Sequence, residues 1–444
     1  MFLSFILSIF LNNLVNSGIS TLTPNDTPKV IINNIILIGN KRTKNNIIHR
    51  ELTFKVGDII KKNDLPEILK ISRQNLLNAS LFNFVTIDYA MEDSTKADII
   101  INMTERWYIW PFPVFEFADR NFNAWLETKK YSRLNYGLYL QDDNFRGRRE
   151  SIQLLLQFGY DESFKLLYTI PYIDNKKKFG IYTEAGVLQN HEIAYATQNN
   201  KLKYIKDIDD YAKQNVYGKI GITYRNKINF THSLDISYNY FRIDDTVKTL
   251  NPNYFYSNNN NNKFIALNYL FKIDFRDSKS YPLNGYYIDL IATKNGLGIL
   301  RDEKLDMLLL ETNIREYLKI NKNFFFGSGL TARYVNNPSL PFLMQKALGY
   351  DRDFIRGYEY YVIDGQHFGT LKTNIKYELV SERKEKVNIV KAEKFNTFHY
   401  AFYLNAFSDI GYVSATNIDT TNTYVNKCLV GYGIGLDYVT YYDK

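Results

Sequence analysis

The chain has 444 residues, with 55 Lys and Arg set against 47 Asp and Glu and a net charge of +8. Its basic residues are scattered among acidic ones and form no arm that could follow a phosphate backbone, so composition gives no nucleic-acid partner. The single Cys428 excludes an internal disulfide framework and a cysteine-built zinc site, while 37 Tyr and 30 Phe against 3 Trp favour strands and interfaces.

Residues 1–20, MFLSFILSIFLNNLVNSGIS, hold an apolar core from Phe2 to Leu11 followed by the small residues Ser17, Gly18 and Ser20. This reads as a cleaved signal peptide, although no Lys or Arg precedes the apolar run. Downstream, no apolar run approaches the roughly 20 residues a membrane helix needs. No cysteine follows at a lipoprotein position, which leaves an exported soluble protein or a barrel.

Residues 28–105 carry a compact α/β pattern in the order β-α-α-β-β. KVIINNIILIG is a strand entering a turn at Gly39 and Asn40. Thr43 can cap a helix that holds Ile47, Ile48 and the pair Arg50 and Glu51. A second helix, Asp64 to Asn78, spaces Leu65, Ile68, Leu69, Ile71, Leu76 and Leu77 along one side. FNFVTIDYA and KADIIINMTE are strands around a polar turn. The motifs GNKRT, HRELTFKVGD, LLNASLFNFVTIDY and ADIIINMTER resemble a POTRA domain, the periplasmic module of outer-membrane assembly factors.

From Trp107 the period changes to two. In KFIALNYLFKIDFR, Ile265, Leu267, Tyr269, Phe271, Ile273 and Phe275 share one face, with Ala266, Asn268, Lys272 and Asp274 on the other. HSLDISYNY and FHYAFYLNAF repeat the pattern. Alternation fits both a transmembrane barrel and a soluble sandwich; the segment lengths, the aromatics near segment ends and the export signal favour the barrel. About fourteen strands are expected, from Tyr108–Phe117 to Leu429–Val439.

Two motifs refine this. DFRDSKSYPLNGYYIDL (274–290) and FIRGY (354–358) resemble the BamA/TamA family of outer-membrane proteins. The resemblance implies an all-β antiparallel barrel spanning residues 106–444, with a loop at 336–369 that folds back inside it. In TLKTNIKYELV the apolar face carries Leu371, Ile375 and Leu379, so Glu378 points into the lumen; in FHYAFYLNAFSDIG, Asp409 does the same. Arg356 is therefore expected to pin the loop from within, held by Glu378 and Asp409 through its planar fork. Gly357 would let the tip turn, and Tyr358 would pack on the barrel wall. Asp274, Arg276 and Asp277 form a strand end entering a polar turn that Pro282 and Gly285 shape.

HEIAY at 191–195 lacks the second His of a zinc-protease helix, and Ser408 falls on the strand face opposite Asp409 and His399, so no catalytic site emerges. No cofactor and no metal are implied. The resemblance implies a protein that folds and inserts β-barrels into the bacterial outer membrane, with its POTRA domain in the periplasm. Unfolded outer-membrane proteins would be its clients, outer-membrane lipid its surroundings and periplasmic lipoproteins its accessories. A client strand would add to the sheet edge Phe84, Val85, Thr86, Ile87, Asp88 and Tyr89 by main-chain hydrogen bonds. The rival reading is a polypeptide translocation pore of the two-partner-secretion type. The resemblance implies about sixteen strands, so a chain ending GLDYVTYYDK is expected to stop about two strands short, either as a C-terminal truncation or as a barrel that closes with fewer strands.

Overall fold

The structure, a computed structural model, describes residues 28–93, 95–117, 134–205, 210–256, 259–301, 303–350, 353–386, 397–416 and 419–440. The signal-peptide reading of residues 1–20 lies outside them.

The N-terminal α/β domain consists of β1 (Lys29–Ile38), α1 (Asn45–Glu51), β2 (Ile59–Lys61), α2 (Leu65–Asn78), β3 (Phe82–Met91) and β4 (Lys96–Glu105). Its sheet runs β2-β1-β4-β3, with β1 and β4 parallel and the outer pairs antiparallel. Alternate residues of β1 and β4, among them Ile32, Ile99 and Ile101, bury against Ile48 of α1 and Leu65 and Leu76 of α2. Pro66 opens α2, where its missing N–H costs nothing. The extra strand β2 has three residues, too few for an alternation to show in sequence.

Beyond it lies one antiparallel sheet of fourteen strands. It begins with β5 (Ile109–Phe117), β6 (Leu134–Phe145), β7 (Glu150–Gly159), β8 (Glu162–Ile170) and β9 (Phe179–Asn190). A separate hairpin, β10 (Ala194–Gln198) and β11 (Lys201–Tyr204), leads to β12 (Lys213–Tyr224) and β13 (Phe230–Ile243). After α3 (Asp245–Leu250) come β14 (Asn261–Asp274), β15 (Gly285–Asn295), β16 (Met307–Lys319) and β17 (Phe324–Val335). The short β18 (Lys346–Leu348) and β19 (Ile363–Asp364) pair within the long connection to β20 (His367–Lys386), β21 (Thr397–Ser414) and β22 (Cys428–Thr440). Every large strand pairs with its neighbour in chain order, so the topology is an up-and-down meander from β5 to β22.

The faces are inverted relative to a soluble sandwich. On β13, Leu234, Ile236 and Tyr238 are exposed while Ser233 and Asp235 are buried; on β22 the outward row is Val430, Tyr432, Ile434, Leu436 and Tyr438. Apolar residues outside and polar ones inside are what a β-barrel in lipid requires. No helix among the described residues is long and apolar enough to cross a membrane.

Candidate functional site

Three structures meet at this barrel: the loop carrying Arg356, the β14–β15 turn, and the docked α/β domain. The loop tip is a tight turn in which Tyr358 N–H donates to Ile355 C=O at 2.9 Å. Gly357 sits in its third position at φ +94°, where an L side chain is strained, as a type II turn demands. Ile355 is buried with Leu348, Ile363, Phe368, Val413 and Leu429, which anchors the tip against the last two strands. Those strands make room by omitting side chains. A Cβ on Gly431 would lie 1.9 Å from Arg356 C=O, and one on Gly411 would lie 2.6 Å from Ile355 Cγ1.

The Arg356 guanidinium engages Asp409 with both arms: Nε donates to Oδ2 at 2.7 Å and Nη2 to Oδ1 at 2.5 Å. Arg356 backbone N–H adds a 3.3 Å bond to the same carboxylate, which is 0% exposed. The guanidinium carbon also lies 3.5 Å from the centroid of the Phe407 ring. Planarity is thus used twice, for the fork and for the stack.

One expectation about this loop is corrected. Glu378 does not join Arg356: it stands opposite Tyr403, whereas Asp409 stands opposite Lys372, and its own N–H bonds Asn323 in the β16–β17 turn. Strand parity gave its face but not its depth, and the six-residue offset along β20 is about 20 Å. Tyr358 packs, as expected, against the apolar cluster that includes the wall residues Phe368, Val413 and Leu429, and also stands edge-on to Tyr424 of the β21–β22 connection, at 5.4 Å between centroids.

The β14–β15 turn is built on a second planar pair, Arg276 Nε and Nη2 each donating to Asp274 at 2.8 Å. Arg276 also lies over the Tyr287 ring. Asp277 accepts from Ser278 N–H at 2.8 Å and Leu283 N–H at 3.1 Å, so its carboxylate organises the turn that contains Pro282. Gly285, at φ +101°, is packed so that a Cβ would meet Phe275 C=O at 2.1 Å. The turn then reaches the last strand: Tyr281 OH donates to Asp437 Oδ2 at 2.7 Å, and its ring lies under Lys376 and beside Tyr403.

The α/β domain docks on the strand turns at this end through a buried carboxylate. Glu51 Oε1 accepts from Arg149 Nη1 at 3.0 Å, Arg225 Nη1 at 2.8 Å and Tyr172 OH at 2.9 Å; Oε2 accepts from Arg225 Nη2 at 3.1 Å. Burial alone would raise the Glu51 carboxyl, but the charges of Arg225 and Arg149 and the bonds from Arg225 and Tyr172 hold it down at about 2. Thr43, expected as a helix cap, is not one: Lys44 holds the cap position, and Thr43 hydroxyl is buried between Tyr108 OH at 3.0 Å and Asn144 Nδ2 at 2.9 Å. Arg42 and Asp142 add an ion pair at 2.7 Å. Sequence reading missed Glu51, yet a signal existed: it follows Ile47 and Ile48 at helical spacing, and a carboxylate on a buried face needs partners.

Between α2 and the barrel lies a cavity of about 590 Å³, lined among others by Lys70, Asn75, Arg225, Lys272, Asp274 and Lys279. Lys279 crosses it to Asn78 C=O at 2.9 Å. The predicted client edge, β3, is an edge strand, paired with β4 alone. Its residues are not equivalent: Phe84 lies 5.2 Å from the His399 ring of β21, and Val85 C=O accepts from Arg73 Nε at 2.8 Å. Thr86, Asp88 and Tyr89 are exposed, and Ile87 is partly buried against the core.

At the opposite end the β10–β11 hairpin crosses the mouth. Asn199 and Asn200, both in the left-handed region, form its tip. Asn200 N–H donates to Asn422 Oδ1 at 2.8 Å, its C=O accepts from Val362 N–H at 2.9 Å and its Oδ1 from Tyr424 N–H at 3.1 Å. The hairpin rises between β9 and β12, and the β21–β22 connection that receives it lies across the sheet, with β13 to β20 between.

These features define a barrel with a lumen-filling arginine loop and one docked α/β domain. The chain belongs to the Omp85 superfamily: that family's domain matches residues 144–440, and the POTRA model, described as a surface antigen variable number repeat, matches residues 30–106. Similar solved structures include BamA from Haemophilus ducreyi lacking POTRA domains 1–3, at 14% identity, TM-score 0.49, and covering 92% of this chain and 78% of that one. CdiB from Escherichia coli is another, at 10% identity and TM-score 0.48, covering 95% and 86%. No curated protein matches the chain.

Proposed function

We propose that this protein is an outer-membrane assembly factor: it takes an unfolded barrel protein on the POTRA edge and assists its insertion into the bilayer, without acting as an enzyme. The protein sits in the bacterial outer membrane with its POTRA domain in the periplasm. The observation that carries this reading is the occupied lumen. The Arg356 loop is pinned to Asp409 inside the barrel while the Asn200 hairpin tip is bonded across the outer mouth. A client is thereby directed to the barrel's side, where strand addition starts from a main-chain edge. Exposed β3 residues from Thr86 onward supply that edge beside the barrel. The alternative is a translocation pore of the two-partner-secretion type, favoured by the cavity between α2 and the lumen. Depletion in the native cell separates them: the assembly reading predicts that many outer-membrane barrels fall together, whereas loss of one exported protein with normal barrel levels would overturn it.

A further inference from the structure

Six cations line the cavity between α2 and the barrel: Lys70, Arg149, Arg225, Lys272, Arg276 and Lys279. The four carboxylates on the same wall are already engaged. Glu51 holds Arg149 and Arg225, Glu67 holds Lys70, and Asp274 holds Arg276. Asp277 accepts from the N–H groups of Ser278 and Leu283 in its own turn. Asp289, opposite Lys272 on β15, accepts from Tyr287 OH and from the N–H and Nδ2 of Asn313. Among the described residues, Lys272 and Lys279 therefore pair with no carboxylate, and Lys279 reaches only the neutral Asn78 C=O. Burial, reinforced by the charges of Arg149, Lys272 and Arg225, lowers the Lys279 ammonium to about 8. Two ammonium groups that repel each other inside one cavity are unfavourable unless an anion joins them.

We propose that this cavity binds a phosphate group, as inorganic phosphate or a phosphate monoester, between Lys272 and Lys279. The charges match, since such a group carries about −1.5 to −2 near pH 7 and offers three acceptor oxygens. Recognition of a carboxylate by a planar fork is ruled out because each guanidinium on the wall is already held by a carboxylate, whereas a lysine serves phosphate as a point charge. Gln74, Asn78 and Asn284 add neutral amides to the wall for the remaining oxygens. A volume of about 590 Å³ is that of a small-molecule site. Because α2 forms one side and the β14–β15 turn the other, an occupant bridges the POTRA domain and the barrel and stabilises their docking by mass action. The site stands whether the chain assembles barrels or translocates a polypeptide.

The test uses the full chain in two arms, against Lys272→Gln, Lys279→Gln and Lys62→Gln, the last removing an equal charge from the exposed POTRA surface. In the first arm, radiolabelled inorganic phosphate is dialysed against the chain in phosphatidylcholine nanodiscs, with chloride holding the ionic strength. In the second, native mass spectrometry reads the lipid retained from nanodiscs containing phosphatidic acid. Saturable binding is expected, weakened about tenfold or more by either cavity variant and unchanged in Lys62→Gln. Such binding in the first arm assigns free phosphate, and in the second alone a lipid headgroup. Heat-modifiable mobility reports the barrel of each variant, and Lys279→Gln, which lies in a turn, serves alone if Lys272→Gln does not fold. No lysine-dependent binding in either arm, or equal weakening in Lys62→Gln, overturns the proposal.

Discussion

Arg356 grips Asp409 through two side-chain hydrogen bonds and one from its backbone, while its flat face rests 3.5 Å from the centre of the Phe407 ring. The carboxylate has no exposure, so the interaction is not screened as a surface pair would be. Asp409→Asn leaves the guanidinium in the lumen with one neutral acceptor. The Arg356 side chain is 31% exposed and water can reach it, so the expected loss is that of a charged hydrogen-bonded pair, about 1.5–3 kcal/mol. Urea unfolding of the refolded protein, followed by heat-modifiable gel mobility, measures it. Arg356→Lys should lose most of the same stability, because an ammonium cannot both fork and stack.

Gly431 tests the same loop from the wall. Gly431→Ala puts a Cβ 1.9 Å from Arg356 C=O, so the tip must withdraw although no charge changes. Gly357→Ala has open space around the new methyl but an unfavourable φ, and should cost about 1–2 kcal/mol. Protease cleavage within residues 353–360 should therefore rise more in Gly431→Ala than in Gly357→Ala. Equal cleavage would mean the wall glycine is not what seats the tip.

Docking of the POTRA domain should depend on acid. Glu51 has a folded value of about 2 against an ordinary value of 4.5, so its stabilising contribution is fully present above 4.5 and is lost as pH falls toward 2. Fluorescence transfer between dyes on the POTRA domain and the barrel should hold constant from pH 8 to 5 and decline below about 4. Glu51→Gln should show the undocked signal already at neutral pH, with Arg149 and Arg225 left without a counter-charge. A decline near pH 6 would point to a histidine instead.

Much of the architecture was legible because alternation reports which face a residue takes. The first and last barrel strands, Leu267 outward beside Asn268 inward, and Asp409 in the lumen all follow from a period of two. Depth along the barrel is a different quantity, fixed by stagger between strands that sequence does not display, and Glu378 was misplaced for that reason. Contacts between segments far apart in the chain were equally silent. Glu51 with Arg225, Tyr281 with Asp437 and Asn200 with Asn422 each need the fold before their partners meet. Thr43 shows the converse: a local rule offered a helix cap, and burial beside Tyr108 and Asn144 used the hydroxyl for domain docking.

The most direct measurement of the central claim reconstitutes the chain in liposomes, adds a urea-unfolded eight-stranded barrel protein, and follows its folding by gel mobility while recording membrane conductance. Assembly at the barrel's side predicts faster client folding than in empty liposomes with no rise in conductance, and loss of the acceleration in Asp409→Asn. Unchanged client folding together with a steady ionic conductance would contradict it and establish the lumen as the working path.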